Sequence, residues 1–386
     1  MGEATVIIVG AGVAGLATSV CLKKLNISNI VLEREDCYAA FCKKNSHDGL
    51  KLHLAKEYCK LPYKPFPQDT PRFVSKEGFI KYLDNYVSHF EINPKYYRYV
   101  VSGYYEEKQE GWRIVAINTA LDTHEVYFGK FLVVATGENS EGFIPHIPGL
   151  NRFEGELLHS SDSINAKDYK DKNVLVVGCG NSGMEIAYYL SNYGAKTSIV
   201  VRSPVHILTK EIVWLSMSLL RLHFPMKTVD KVAVKLGKLA HGDLSKYRIP
   251  SPQEGPFYLK AKTGQSTTID VGCVKKIKKG KIKVFPSIGN IKENKIVEFI
   301  DGDIDKFEAI IFATGYRSTV RKWLKDGGGH FGENGMPNKN FPNHWKGESG
   351  LYCAGFGRQG LFGISNDARR IAEDIAFALS QNNGSN

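Results

Sequence analysis

One local design occurs twice in this chain, and it restricts the fold more than any other feature. In the first copy the apolar run Thr5-Val6-Ile7-Ile8-Val9 leads into Gly10-Ala11-Gly12-Val13-Ala14-Gly15. A helical pattern follows to Leu25, and a second apolar run, Ile30-Val31-Leu32, ends in Glu33. In the second copy Asn173-Val174-Leu175-Val176-Val177 leads into Gly178-Cys179-Gly180-Asn181-Ser182-Gly183. A helical pattern then runs to Tyr193, and Ser198-Ile199-Val200-Val201 ends in Arg202. Strand, glycine turn, helix and strand in that order make the βαβ unit of a doubly wound parallel sheet. A glycine triplet alone is a weak signal, but between a strand and a helix each glycine has a distinct task. The first permits the tight turn, the second removes a side chain where a pyrophosphate approaches, and the third lets helix and strand pack closely. The helix N-terminus then offers N–H groups and a positive dipole end to the anion.

Two further apolar runs end alike, Phe131-Leu132-Val133-Val134-Ala135-Thr136-Gly137 and Ile310-Ile311-Phe312-Ala313-Thr314-Gly315-Tyr316. Continuous apolar strands of this kind are buried on both faces, and each is placed to close the sheet of its own glycine turn. The fold class expected is α/β, with two Rossmann-like dinucleotide-binding domains, the second inserted into the first. The boundaries read from sequence are 1–166, 167–316 with a helical insertion at about 204–264, and 317–386, with the chain crossing between domains near 140–166 and 316–320. The insertion reads either as a lid or as domain packing. The lysine-rich run Val274 to Val284 reads as a solvated hairpin turning at Lys279-Gly280.

The two second strands end in opposite charges. Glu33 lies about twenty residues past Gly15, where a carboxylate accepts hydrogen bonds from ribose hydroxyls and repels a 2′-phosphate. Arg202 holds the matching place in the second copy, where a guanidinium grips a 2′-phosphate through paired hydrogen bonds. The first site therefore suits FAD or NAD and the second suits NADPH. Two nucleotides in one chain imply hydride transfer between an exchanging nicotinamide and a bound flavin.

Where the electrons go next is constrained by the cysteines. The seven are Cys21, Cys37, Cys42, Cys59, Cys179, Cys273 and Cys353, and no two are spaced C-x-x-C. A zinc ribbon, a disulfide scaffold and a thioredoxin-type redox pair are disfavoured, which leaves dioxygen or a soluble acceptor. No spacing suggests a metal site or a Ser-His-Asp set. The formal charge of +11 is compatible with nucleic acid, an anionic membrane or phosphate-bearing cofactors. The glycine motifs favour the cofactors, and the basic run lacks the interleaved aromatic residues that stacking on bases requires. No secretory leader precedes the first strand, Val6 stands where a myristoylation motif needs Ser or Thr, and the apolar stretch Ile212 to Phe224 is too short to span a bilayer. The expectation is a soluble, cytoplasmic protein without a transmembrane segment.

Between the two glycine motifs lies Phe153-Glu154-Gly155-Glu156-Leu157-Leu158-His159. It resembles the F-x-G-x-x-x-H signature of flavin-containing monooxygenases. The segments Leu50 to Glu57, Ala135-Thr136-Gly137-Glu138-Asn139 and Gly350 through Ile375 are similar to the plant YUCCA branch of that family. The resemblance covers almost the whole chain. It implies an indole-3-pyruvate monooxygenase that uses FAD, NADPH and dioxygen, works through a C4a-peroxyflavin, and makes the auxin indole-3-acetate. It also implies roles for single residues. His53 falls where relatives carry an Asn beside flavin C4a, as a candidate catalytic group. The helix starting near Ser365 points at the flavin N1–C2 edge. Asn181 and Ser182 line the NADP pyrophosphate turn or cap its helix, His159 serves the hinge or catalysis, and Asn139 serves the hinge or contacts a cofactor. Lys51, Lys56 and Arg358 lie near family motifs as candidate partners of the substrate carboxylate, each also readable as a solvated surface charge. The chain departs from the family pattern at Ser163, at His47-Asp48-Gly49, at Cys42 and at Val13. Those departures leave two alternatives: a monooxygenase of another soft nucleophile or keto acid, and a flavin-binding protein that has lost oxygenation.

Overall fold

The computed structural model describes residues 2–44, 52–325 and 329–383. The chain forms two compact units, Met1–Glu141 with Tyr316–Asn386, and Gly142–Gly315.

The first unit is built on a four-stranded parallel sheet in the order Leu351–Cys353, Phe131–Val134, Val6–Val9, Asn29–Leu32. Alternation along the central strand decides what covers each face. Val6 and Ile8 point to the side where the helices Val13–Lys24 and Gly360–Asn383 bury Leu16, Val20, Ile371 and Ile375. Ile7 and Val9 point to the other side, onto Trp112 and Ile114. Those two belong to an antiparallel meander of Arg98–Glu106, Gly111–Asn118 and Thr123–Gly129.

The second unit repeats the plan with a five-stranded parallel sheet, Ile282–Phe285, Lys196–Val200, Asn173–Val177, Ala309–Phe312, Glu156–His159. Val174 and Val176 meet Met184, Ala187 and Leu190 of the helix Asn181–Asn192. Leu175 and Val177 meet Phe299, Phe307 and Phe312 on the opposite face. Each Ala-Thr-Gly strand pairs directly with the strand that carries its glycine turn, Val9 opposite Val134 and Val177 opposite Phe312.

One expectation is narrowed and two are revised. The first crossing between units, expected near 140–166, lies at Glu141/Gly142, because Glu156–His159 hydrogen-bonds along Ala309–Phe312 and so belongs to the second sheet. The run from Val274 is not a hairpin. Cys273–Lys278 is a short helix burying Cys273, Val274 and Ile277, and after Gly280 the chain enters Ile282–Phe285, which pairs in parallel with Lys196–Val200. The final helix begins at Gly360, which places Ser365 inside it. The insertion holds three helices, Lys210–Arg221, Met226–His241 and Pro256–Thr263, flanked by the paired strands Ile207–Leu208 and Thr268–Ile269.

Candidate functional site

The two glycine turns have nearly the same geometry. Gly10 has φ +107° and Gly178 φ +119°. A Cβ on them would lie 2.5 Å from the Ala135 carbonyl oxygen and 2.4 Å from that of Ala313. The Ala-Thr-Gly segments thus wall in the first glycine of each turn. A Cβ on Gly15 or Gly183 would lie 1.9 Å from the carbonyl oxygen of Gly10 or Gly178, so the third glycine is demanded by helix-to-turn packing. Gly12 and Gly180 differ: a Cβ there meets nothing within 4 Å, and their backbones, φ −68° and −83°, suit any residue. Folding does not require glycine at these two positions, whereas a ligand lying against the turn does.

The helix starts fit an anionic ligand. Gly12 and Gly180 are the N-caps of Val13–Lys24 and Asn181–Asn192, no side chain caps either helix, and neither first turn holds an acidic residue. By contrast Ser75 and Thr209 cap the helices that follow them. Uncapped N–H groups with an aligned dipole are a site for pyrophosphate.

Glu33 is 9% exposed. One carboxylate oxygen accepts from Ala11 N at 2.7 Å and the other from Glu35 N at 3.0 Å. The carboxylate therefore braces the turn and retains lone pairs for further donors such as ribose hydroxyls. Arg202 is exposed, with no ion pair among the described residues. It stands two residues past the strand Lys196–Val200, which pairs with the strand leading into Gly178.

Other residues singled out in the sequence take different places. The Asn181 amide oxygen accepts from Ile269 N at 2.8 Å, and the Thr268 hydroxyl donates to Cys179 O at 2.8 Å. The insertion thus buttresses the second turn through Asn181, while Ser182 beside it is exposed. No pattern around Thr268 announces this contact. Burial pushes the Cys179 thiol up to about 12, which keeps it an unreactive thiol. All seven cysteines are free.

Lys56 is half-buried and already hydrogen-bonded. Its ammonium donates to the carbonyls of Pro67, Gln68 and Thr70 at 3.3, 2.9 and 2.6 Å and holds that loop closed. Lys51 and His47-Asp48-Gly49 lie outside the described residues. His53 is half-buried, on a segment anchored by Leu52 N to Val74 O at 2.8 Å. Arg358 is exposed, and its backbone N–H donates to the Glu138 carboxylate at 3.2 Å. The Ser365 hydroxyl donates to Lys60 O at 2.8 Å. Two residues on, buried Asp367 accepts from Gly355 N at 3.0 Å and from His344 Nε2 at 3.1 Å. That carboxylate fixes the turn before the final helix, where a Cβ on Gly355 would lie 3.0 Å from Ala14 in the first glycine motif.

His159 is buried at the point where the chain enters and leaves the second unit. Its Nδ1 accepts from Ser161 N at 3.1 Å, so the proton sits on Nε2, which donates to Gly315 O at 3.0 Å. A Cβ on Gly142 would lie 2.3 Å from Nδ1. The imidazole is wedged between the first and last residues of the unit, which accounts for a histidine in a connecting segment. Asn139 is exposed near Gly137.

Residues 3–324 match the model of the flavin-binding monooxygenase-like family, and the chain belongs to that family. It is 50% identical over 379 residues to the probable indole-3-pyruvate monooxygenase YUCCA10 of Arabidopsis thaliana, covering 98% of both chains. It is 41% identical over 376 residues to indole-3-pyruvate monooxygenase YUCCA6 of the same plant, covering 96% of this chain and 89% of the relative. Among solved structures, the fold is similar to a flavin-containing monooxygenase from Stenotrophomonas maltophilia, with TM-score 0.75, 18% identity, and 98% and 100% of the two chains covered.

Proposed function

We propose that this protein is an FAD- and NADPH-dependent monooxygenase that converts indole-3-pyruvate to indole-3-acetate, the auxin. The observation that carries the reading is the pair of matching glycine turns whose second strands end in opposite charges, in a chain up to 50% identical to indole-3-pyruvate monooxygenases over nearly its whole length. In the balanced reaction the keto acid loses its carboxylate as CO2. One atom of dioxygen enters the new carboxylate, the other leaves as water, and NADPH supplies two electrons.

The first unit would hold FAD, its pyrophosphate against Gly12 and the Val13–Lys24 helix start, its ribose hydroxyls donating to Glu33. The second would hold NADPH against Gly180, with the 2′-phosphate paired to Arg202. Bound flavin supplies hydride acceptance and oxygen activation. The chain's own residues position and shield. Glu33 ties the strand end to the turn, Asp367 fixes the turn that touches Ala14, and Asn181 holds the second turn against Thr268–Ile269. His53 is the candidate donor to oxygen or substrate. The free cysteines suit a reducing compartment, the cytoplasm, and no helix among the described residues is long and apolar enough to cross a membrane.

The test follows NADPH oxidation by purified yellow protein with indole-3-pyruvate. One acid formed per NADPH supports the reading. Turnover of sulfides or amines but not of the keto acid moves the substrate elsewhere in the family, and hydrogen peroxide as sole product identifies a flavoprotein that has lost oxygenation.

A further inference from the structure

The insertion carries a surface that redox chemistry does not use. The helix Met226–His241 buries Val229, Asp230, Ala233, Gly237 and His241. Its outer side shows Lys227, Lys231, Lys235 and Lys238, all exposed. Spacings of four, four and three residues align them in one stripe along a helix of about 24 Å. None of the four makes an ion pair among the described residues. The helix's single carboxylate, Asp230, turns inward and accepts from Phe257 N and Tyr258 N at 2.8 and 3.1 Å. Like charges so spaced repel one another and weaken the helix; Asp243, past its C-terminal end, offsets only the last of them, Lys238.

At the start of the stripe, the turn from the preceding helix exposes Leu222 by 68%, Phe224 by 48% and Met226 by 38%. Arg221, His223 and Lys227 alternate with them. Single exposed apolar residues are ordinary, but three within five positions, flanked by the cations Arg221 and Lys227, form a patch.

We propose that this helical hairpin docks the protein peripherally on an anionic phospholipid surface, with the 222–226 turn entering the headgroup layer and the lysine stripe lying on lipid phosphates. The combination selects this occupant. Apolar side chains gain by leaving water and lysines gain near anionic lipid. A second copy would bring an equally positive stripe. A polynucleotide would satisfy the lysines but would leave Leu222 and Met226 in water, with only Phe224 and His223 in the patch to stack on.

Co-sedimentation of the flavin-loaded full chain with phosphatidylcholine vesicles, with and without phosphatidylserine, tests this. Binding is expected to rise at least tenfold with phosphatidylserine and to weaken as salt rises. The double variant Lys231→Glu, Lys235→Glu should lose at least tenfold, and so should Leu222→Ser with Phe224→Ser. Both should keep the parent thermal midpoint and flavin content, which shows that they fold. Equal weak partition onto both vesicle types would overturn the proposal. So would binding that survives both double variants, or a chain that ignores vesicles yet shifts RNA in a gel in a stripe-dependent way.

Discussion

Gly12 and Gly15 stand three residues apart under different constraints. A methyl group on Gly15 collides with Gly10 O at 1.9 Å, whereas one on Gly12 points into open space. Gly15→Ala should therefore fail to give stable protein. Gly12→Ala should fold and melt like the FAD-stripped parent yet fail to take up FAD, a contrast read by thermal denaturation and by the flavin absorbance of each preparation. Arg202→Ala should raise KM for NADPH about 10- to 100-fold, the worth of a charge-assisted pair, while leaving KM for NADH within about twofold. Both glycine triplets were legible in the sequence because the local backbone constrains them, and Glu33 and Arg202 stand where the spacing put them, just past the ends of their second strands. The hydrogen bonds of Lys56 and Asn181 were not legible because their partners, the 67–70 loop and Ile269, come from distant segments that no local spacing specifies.

Elements were legible where burial is two-sided and obscured where it is one-sided. Runs such as Val174 to Val177 are buried on both faces and read as strands at sight. The run from Val274 mixes lysines with apolar residues, and its contacts at 273, 274 and 277 follow a helical spacing before alternation resumes at Ile282. Helix ends also depend on partners from elsewhere. Pro256–Thr263 has no cap of its own, and Asp230 supplies one from another helix. Asp230→Ala should destabilise the protein by about 2 kcal/mol, measurable as a lower urea midpoint. In the meander, hydrogen bonds from Arg98, and then from Tyr127 and Asn118, pull the Glu125 carboxyl down from 4.5 to about 2. Because the folded value lies below the unfolded one, this contribution is complete above pH 4.5 and is lost as pH falls toward 2. Glu125→Gln should be less stable than the parent at neutral pH, and the gap should narrow in urea titrations carried down through that window.

At the scale of the whole molecule, two parallel sheets, each with its own glycine turn and Ala-Thr-Gly strand, were readable because the pattern repeats. The first crossing was legible only as a range, 140–166, since Glu156–His159 is exposed along much of its length and carries little apolar signal of its own. The proposed function rests on opposite charge at equivalent positions, 33 and 202. Anaerobic reduction of the bound flavin, followed by its absorbance with NADPH and with NADH in the parent and in Arg202→Ala, tests this most directly. Yellow protein reduced far faster by low concentrations of NADPH, with the preference abolished in the variant, is the predicted result. Colourless protein that takes up no FAD, or a parent chain reduced equally well by NADH, would contradict it.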